Sequence, residues 1–299
     1  MRFRRIAGVA AVTAAALSCL STAAFANPAT AAGQATPHAH HLSHGLGLNL
    51  KELKAHSDAQ LAGHGAQPVF KTSSAVPDSF DLTKYALSPG DQGQVGSCVT
   101  WATGYSAYGI LMNEQGIQGA PMAPMYIYSQ IAKGDDEGTT AAVALPMEQK
   151  QGIDTQSDYW QGTEDYTTQP DSGERANAAH YKLSGYTRLS ISGTAAQSDI
   201  EKAISQGQPV AIGFTAHQSF EDLNSTTAAN YTYVPGSSIS DPVIGGHEVT
   251  IVGYNTKGVK IENSWGTNWG AGGYFTVPWK FFTTSNVNEV HAVGKLVTS

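Results

Sequence analysis

Two alternating runs, HEVTIVGY and GVKIENSW, meet at Asn255-Thr256-Lys257-Gly258. Turn-forming residues between two alternating strands dictate a β-hairpin. Folding about that turn sets His247 opposite Trp265 and Asn263 beside Val249. His247 and Asn263 then share one face as diagonal neighbours, within roughly 7–8 Å. An amide beside an imidazole can fix its tautomer and orientation, the job an orienting carboxylate performs elsewhere. Trp265 would cover the pair from water. A one-residue slip would send one partner to the other face, so the register decides whether the pair exists.

An imidazole held in this way is a base in need of a nucleophile. Cys98 stands in DQGQVGSCVTWA, among glycines and polar residues just before an apolar stretch. The other cysteine, Cys19, lies in the first 26 residues. Those read as a secretory signal peptide: Arg2, Arg4 and Arg5, an Ala/Val/Leu run, then Ala24-Phe25-Ala26 at a cleavage point. A secreted chain with one remaining thiol has no internal disulfide to build. Ser97 is placed to cap a helix from Cys98 through Tyr105 to Leu111, with Gly104 and Gly109 permitting close neighbours. Cys98 thus falls in a first helical turn, where unpaired N–H groups favour a thiolate and can hold an oxyanion. Gln92 offers a further amide donor. Of the other histidines of the mature domain, His180, His217 and His291 have no such context.

Charge narrows the partners. The chain carries 17 Lys+Arg against 24 Asp+Glu. Residues 1–75 hold 6 and 2 of these, leaving 11 basic and 22 acidic groups in residues 76–299. So acidic a domain is not a nucleic-acid binder, since phosphate contacts need clustered cations. No apolar run after the signal is long enough for a stable membrane anchor. A secreted, extracellular monomer acting on a peptide or protein is expected. Residues 27–75 read as a short His-rich pro-segment or linker, with LNLKELKAHSDAQLAG as its helical piece. His38, His40, His41 and His44 lack a carboxylate or thiol to complete a metal site. The acidic loop KGDDEG lacks EF-hand spacing. Neither a metal nor an organic cofactor is expected.

From residue 76 onward the order is helices first, MYIYSQIA among them. A short helix follows, SDIEKAIS, with Ser198 and Glu201 read as its capping box. Then come the strands QPVAIGF, HEVTIVGY, GVKIENSW, GGYFTVPW and HAVGKLV. That order is α+β.

QGQVGSC at 92–98, GGHEVTIVGY at 245–254 and ENSWGTNWGAGGYF at 262–275 resemble, in the same order, the three signatures of papain-like cysteine peptidases. VPDSFDLTKYALSP, GIDTQSDYW and DIEKAISQGQPVAIGF extend the resemblance over most of residues 76–299. The papain pattern has a cysteine and an aromatic where Val95 and Val99 stand here. His247 follows Cys98 by 149 residues and Asn263 by 165. Val99 and Trp101 resemble bacterial members.

The resemblance implies a two-lobe fold: a helical left lobe, an antiparallel β-barrel-like right lobe, and the active site in the cleft between. It implies Cys98 as nucleophile, His247 as base and then acid, Asn263 as orienter and Gln92 as oxyanion donor. Gly138, Gly246 and Trp265 would line the substrate. Val243, Ile244, Gly245 and Gly246, just before His247, point to an apolar side chain two residues before the cut. The expected activity is that of a secreted cysteine endopeptidase working through a Cys98 acyl-enzyme. Two alternatives stand beside it: a catalytically silent module binding peptide or glycan, and an acyl transferase or peptide ligase.

Overall fold

The computed structural model describes residues 44–55, 75–236 and 240–297. The signal sequence and His38, His40 and His41 lie outside them.

The thiol sits where a run of glycines and serine gives way to helix-compatible apolar residues. The helix α2 begins at Cys98–Trp101, passes through a π-helical turn at Ala102–Ala107 and continues as Tyr108–Gln115. Gly116, left-handed at φ 68°, ends it. Ser97 occupies the N-cap, but its hydroxyl makes no capping bond; it leans back to Val95 O at 3.5 Å. Gly104 and Gly109 admit neighbours as expected. A methyl on them would come within 2.6 Å of Ile153 Cδ1 and 2.7 Å of Leu87 Cδ1. Ahead of α2 are α1 (Leu50–Ala55) and β1 (Phe80–Asp81). After it come α3 (Pro124–Ala132), α4 (Ala141–Gln151) and α5 (Ser172–Ala178).

The strands follow: β2 (Tyr186–Arg188), β3 (Val210–His217), β4 (Val243–Asn255), β5 (Gly258–Glu262), β6 (Tyr274–Pro278) and β7 (Val287–Val293). Helix α6 (Gly193–Ser205) precedes β3. Its N-cap is Ser192, six residues before the Ser198 of the capping-box reading, so Ser198 and Glu201 lie inside it. There Glu201 accepts from the Gln197 amide at 2.8 Å.

The sheet is antiparallel throughout, in the order β2-β7-β3-β4-β5-β6, with β1 on β4. Its described strands make an open path, with β2 and β6 at its ends, rather than a closed barrel. Alternation along β3 explains the layering. Val210, Ile212 and Phe214 enter one buried cluster with Val249, Ile251, Phe275 and Phe281. Ala211, on the opposite face, joins a second cluster with Val99, Tyr108, Leu111, Tyr126 and Leu145 from the helices. Helices on an antiparallel sheet make the fold α+β. Among the described residues no helix is long and apolar enough to cross a membrane.

Candidate active site

The β4–β5 hairpin turns where the sequence requires. Asn255 pairs with Gly258, and Asn255 Oδ1 accepts from the Lys257 and Gly258 N–H groups at 2.8 and 3.3 Å. One irregularity between Ile251 and Gly253 shifts the register, after which Thr250 pairs with Glu262. That shift brings His247 and Asn263 together. His247 Nε2 lies 2.8 Å from Asn263 Oδ1, with both residues buried. Asn263 Oδ1 also accepts the Ser264 N–H at 2.8 Å. Because the oxygen faces the ring, Nε2 carries the proton and Nδ1 keeps its lone pair. Nδ1 has no hydrogen-bond partner. The Trp265 ring lies 4.8 Å from the His247 ring and Phe220 lies 5.4 Å away, so aromatic groups cover the pair.

Cys98 is the first residue of α2 and is fully buried. The N–H of Glu248, the residue after His247, donates to Cys98 Sγ at 3.3 Å, which sets β4 against the thiol. Thr250 Oγ1 donates to Ala102 O at 2.8 Å and docks the same strand on α2. Residues 90–92 run beside 264–266: Gln92 N–H donates to Ser264 O at 2.9 Å, and Gly266 N–H to Gly90 O at 2.8 Å. Gln92 is thereby fixed. Its Oε1 accepts from Ser264 Oγ at 2.6 Å and its Nε2 donates to Val95 O at 3.0 Å. The remaining direction of Nε2 points to Leu46 O at 3.3 Å.

The N-terminal residues described here lie directly on this site. The Gly47 and Leu48 N–H groups both reach Gly246 O, at 3.2 and 3.1 Å. Thr139 N–H donates to Gly47 O at 2.8 Å, and Asn49 N–H to Thr139 O at 2.9 Å, a parallel bridge between Leu48 and Thr139. Trp265 Nε1 donates to Gly45 O at 3.2 Å, and the His44 ring stacks on Trp265 at 5.3 Å. A methyl on Gly138 would lie 2.1 Å from Gly47 O, so glycine is required for this approach. Gly138, Gly246 and Trp265 thus all touch the segment. Thr139, which the sequence reading missed, supplies its paired backbone bonds. Of the segment's helical piece, the described residues form the six-residue α1, and the rest lies outside them.

Burial sets the protonation of this state. It pushes the Cys98 thiol up, and the charge of Glu248 adds to that; N–H groups of Glu248, Leu48 and Val99 pull the other way. His247 is pushed down to about 4, by burial first, against the bond to Asn263, with His44 lowering it further. Thiol and imidazole are therefore both neutral beneath the segment.

The other sequence candidates have different places. His44 Nε2 is 3.6 Å from Asp91 Oδ1. His217 is held by Asp241 O at 2.8 Å and Asn286 Oδ1 at 3.1 Å. The acidic loop is exposed from Lys133 to Glu137, and within it Asp136 accepts the Gly96 N–H at 3.0 Å and the Tyr128 hydroxyl, bracing the approach to Cys98. Among the described residues no group of three or more His, Cys, Asp or Glu is placed to hold a metal ion.

A family model described as papain family cysteine protease matches residues 76–292. The chain belongs to the papain family. An uncharacterized peptidase C1-like protein of Acanthamoeba polyphaga mimivirus is 29% identical over 227 residues, covering 70% of this chain and 71% of that protein. Mouse cathepsin K is 28% identical over 208 residues, covering 67% of this chain and 59% of cathepsin K. Xylellain, a cysteine protease from Xylella fastidiosa, superposes with a TM-score of 0.68 at 20% identity, over 86% of this chain and 97% of that one. Papain-family membership gives the helix-borne cysteine and the strand-borne histidine a common frame.

Proposed function

We propose that this papain-family chain is a secreted cysteine endopeptidase. Residues 1–26 act as its export signal, 27–75 as a pro-segment and 76–299 as its peptidase domain. The helices form one lobe and the sheet curls into a barrel-like second lobe, with substrate bound between them. The observation that carries this reading is the imidazole of His247, proton-fixed by Asn263 at 2.8 Å and leaving Nδ1 free, on the strand that abuts a helix-terminal thiol.

The described arrangement is latent. The N-terminal segment lies across the site, with its Gly47 and Leu48 N–H groups on Gly246 O at 3.2 and 3.1 Å, and keeps substrate from the thiol. Once the segment leaves, water reaches the site. His247 Nδ1 then takes the thiol proton, and the thiolate attacks a peptide carbonyl. The Cys98 N–H and Gln92 Nε2 stabilise the oxyanion. His247 returns the proton to the leaving amine, giving an acyl-enzyme, and next activates water to hydrolyse it. Asn263 holds the ring through both transfers.

The test is hydrolysis of a protein substrate by the secreted chain and by Cys98→Ala and His247→Ala. Loss of cleavage in both variants, with unchanged circular dichroism, supports the mechanism; full activity of Cys98→Ala sinks it. Products carrying an added amine instead of water would point to a transferase or ligase.

A further inference from the structure

The Leu48 side chain fills a pocket whose walls are acidic. On the sheet, Gly213 of β3 pairs with Glu248 of β4 on one side and with Glu289 of β7 on the other. Directly paired residues project from the same face, so both carboxyls flank the glycine. With no side chain at Gly213 the space between them is open, and Leu48 takes it. A methyl on Gly213 would lie 2.8 Å from Leu48 Cδ2, 2.8 Å from Glu289 Cγ and 3.3 Å from Glu248 Oε2. The pocket adjoins the nucleophile, since the N–H of Glu248 donates to Cys98 Sγ at 3.3 Å.

The two glutamates are buried at 0% and 2% exposure. Glu289 Oε1 accepts the N–H of Ala141, the first residue of α4, at 3.1 Å. No N–H or O–H reaches Glu289 Oε2 or either oxygen of Glu248. Burial and their mutual repulsion push Glu248 well up, and burial raises Glu289. Glu148 of α4 raises Glu248 further, and Glu52 of α1 raises Glu289. The charge of Arg188 of β2 acts on Glu289 in the opposite sense. His291 Nδ1 is 3.7 Å from Glu289 Oε2, but burial pushes this histidine down to about 3, so it brings no charge. A leucine between two such groups satisfies neither.

We propose that, with the N-terminal segment gone, this pocket takes the cationic side chain of a lysine or arginine of the substrate, selected by Glu248 and Glu289. The inference rests on the peptidase reading and names its substrate class. An ammonium or guanidinium reaching over Gly213 supplies N–H donors to the three oxygens that lack them and offsets the charge of both carboxylates. Any proton that burial keeps on the pair passes to solvent as the cation enters. An acidic substrate residue is excluded by repulsion. This replaces the apolar preference expected from Val243 and Ile244; Val243 is 57% exposed.

The experiment measures initial rates of the secreted protein on fluorogenic tripeptides. Each of the three residues before the cut is in turn Arg, Lys, Leu or Glu. One position is expected to favour Arg and Lys over Leu by about tenfold or more, the scale of one charge-assisted contact, with Glu worst. In Glu248→Gln/Glu289→Gln the ratio of arginine to leucine rates at that position falls by about the same factor. The amide that replaces the Glu289 carboxylate still offers an oxygen to the Ala141 N–H, and a ratio is insensitive to the amount of folded protein. Cleavage with leucine preferred at every position, or an unchanged ratio in the double variant, overturns the proposal alone. Cleavage of no peptide overturns the peptidase reading and the proposal with it.

Discussion

His247 Nε2 and Asn263 Oδ1 lie 2.8 Å apart, and that oxygen also accepts the Ser264 N–H at 2.8 Å. The second bond locks the amide oxygen-first toward the ring, so the tautomer of His247 is set by backbone geometry. Asn263→Ala removes the acceptor and lets the ring turn or change tautomer. The expected outcome is a fall in kcat of about 10²-fold with KM little changed, the size of a mispositioned general base. An equal rise in KM with kcat intact would assign Asn263 to substrate binding instead.

His247 gives the latent form its response to acid. Its value is about 4 beneath the segment, against an ordinary histidine near 6.5. A depressed value means the closed form binds fewer protons than the open one. Its contribution to closure is therefore complete above about pH 6.5 and is lost as pH falls through 4. Glu248 and Glu289, pushed up, act in the opposite sense, so the imidazole itself must be watched. In Cys98→Ala, which cannot process itself, the His247 ring resonances are expected to stay those of a neutral imidazole down to about pH 5. A titration centred near 6.5 with the segment in place would contradict the burial argument.

Leu48 holds the segment by filling the acidic pocket with an apolar side chain. Leu48→Asp places a third carboxylate between Glu248 and Glu289, and closure then costs repulsion as well as the lost apolar burial. Alkylation of Cys98 by iodoacetamide is expected to quicken by about tenfold or more at neutral pH. Leu48→Met, which keeps apolar volume, is expected to alkylate like the wild type. Equal rates for Leu48→Asp and the wild type would mean that the segment is held elsewhere.

The parts of this site that were legible in sequence are those with a local cause. The turn-forming stretch at Asn255–Gly258 and the alternation of β4 and β5 mark the hairpin that carries His247, Asn263 and Trp265. Cys98 at a helix start follows from the glycines and serine before it, although Ser97 caps with its position and not its hydroxyl. Three things were not legible. The irregularity between Ile251 and Gly253 has no residue signature, yet it sets the final register. The acidic pocket arises because β4 and β7, separated by many residues in sequence, flank the same glycine of β3. The residues around Leu48 look like part of a flexible spacer, since their bonds to Gly246 and Thr139 are backbone bonds that any sequence can make.

The central claim is that Cys98 and His247 form a nucleophile–base pair that works once the segment is released. The most direct measurement is mass spectrometry of the secreted protein after incubation with an E-64-type epoxide, alongside cleavage of a peptide. The account predicts one adduct, on Cys98, appearing in step with loss of cleavage and absent in His247→Ala. Fully processed, folded protein that gains no adduct and cleaves nothing would contradict it.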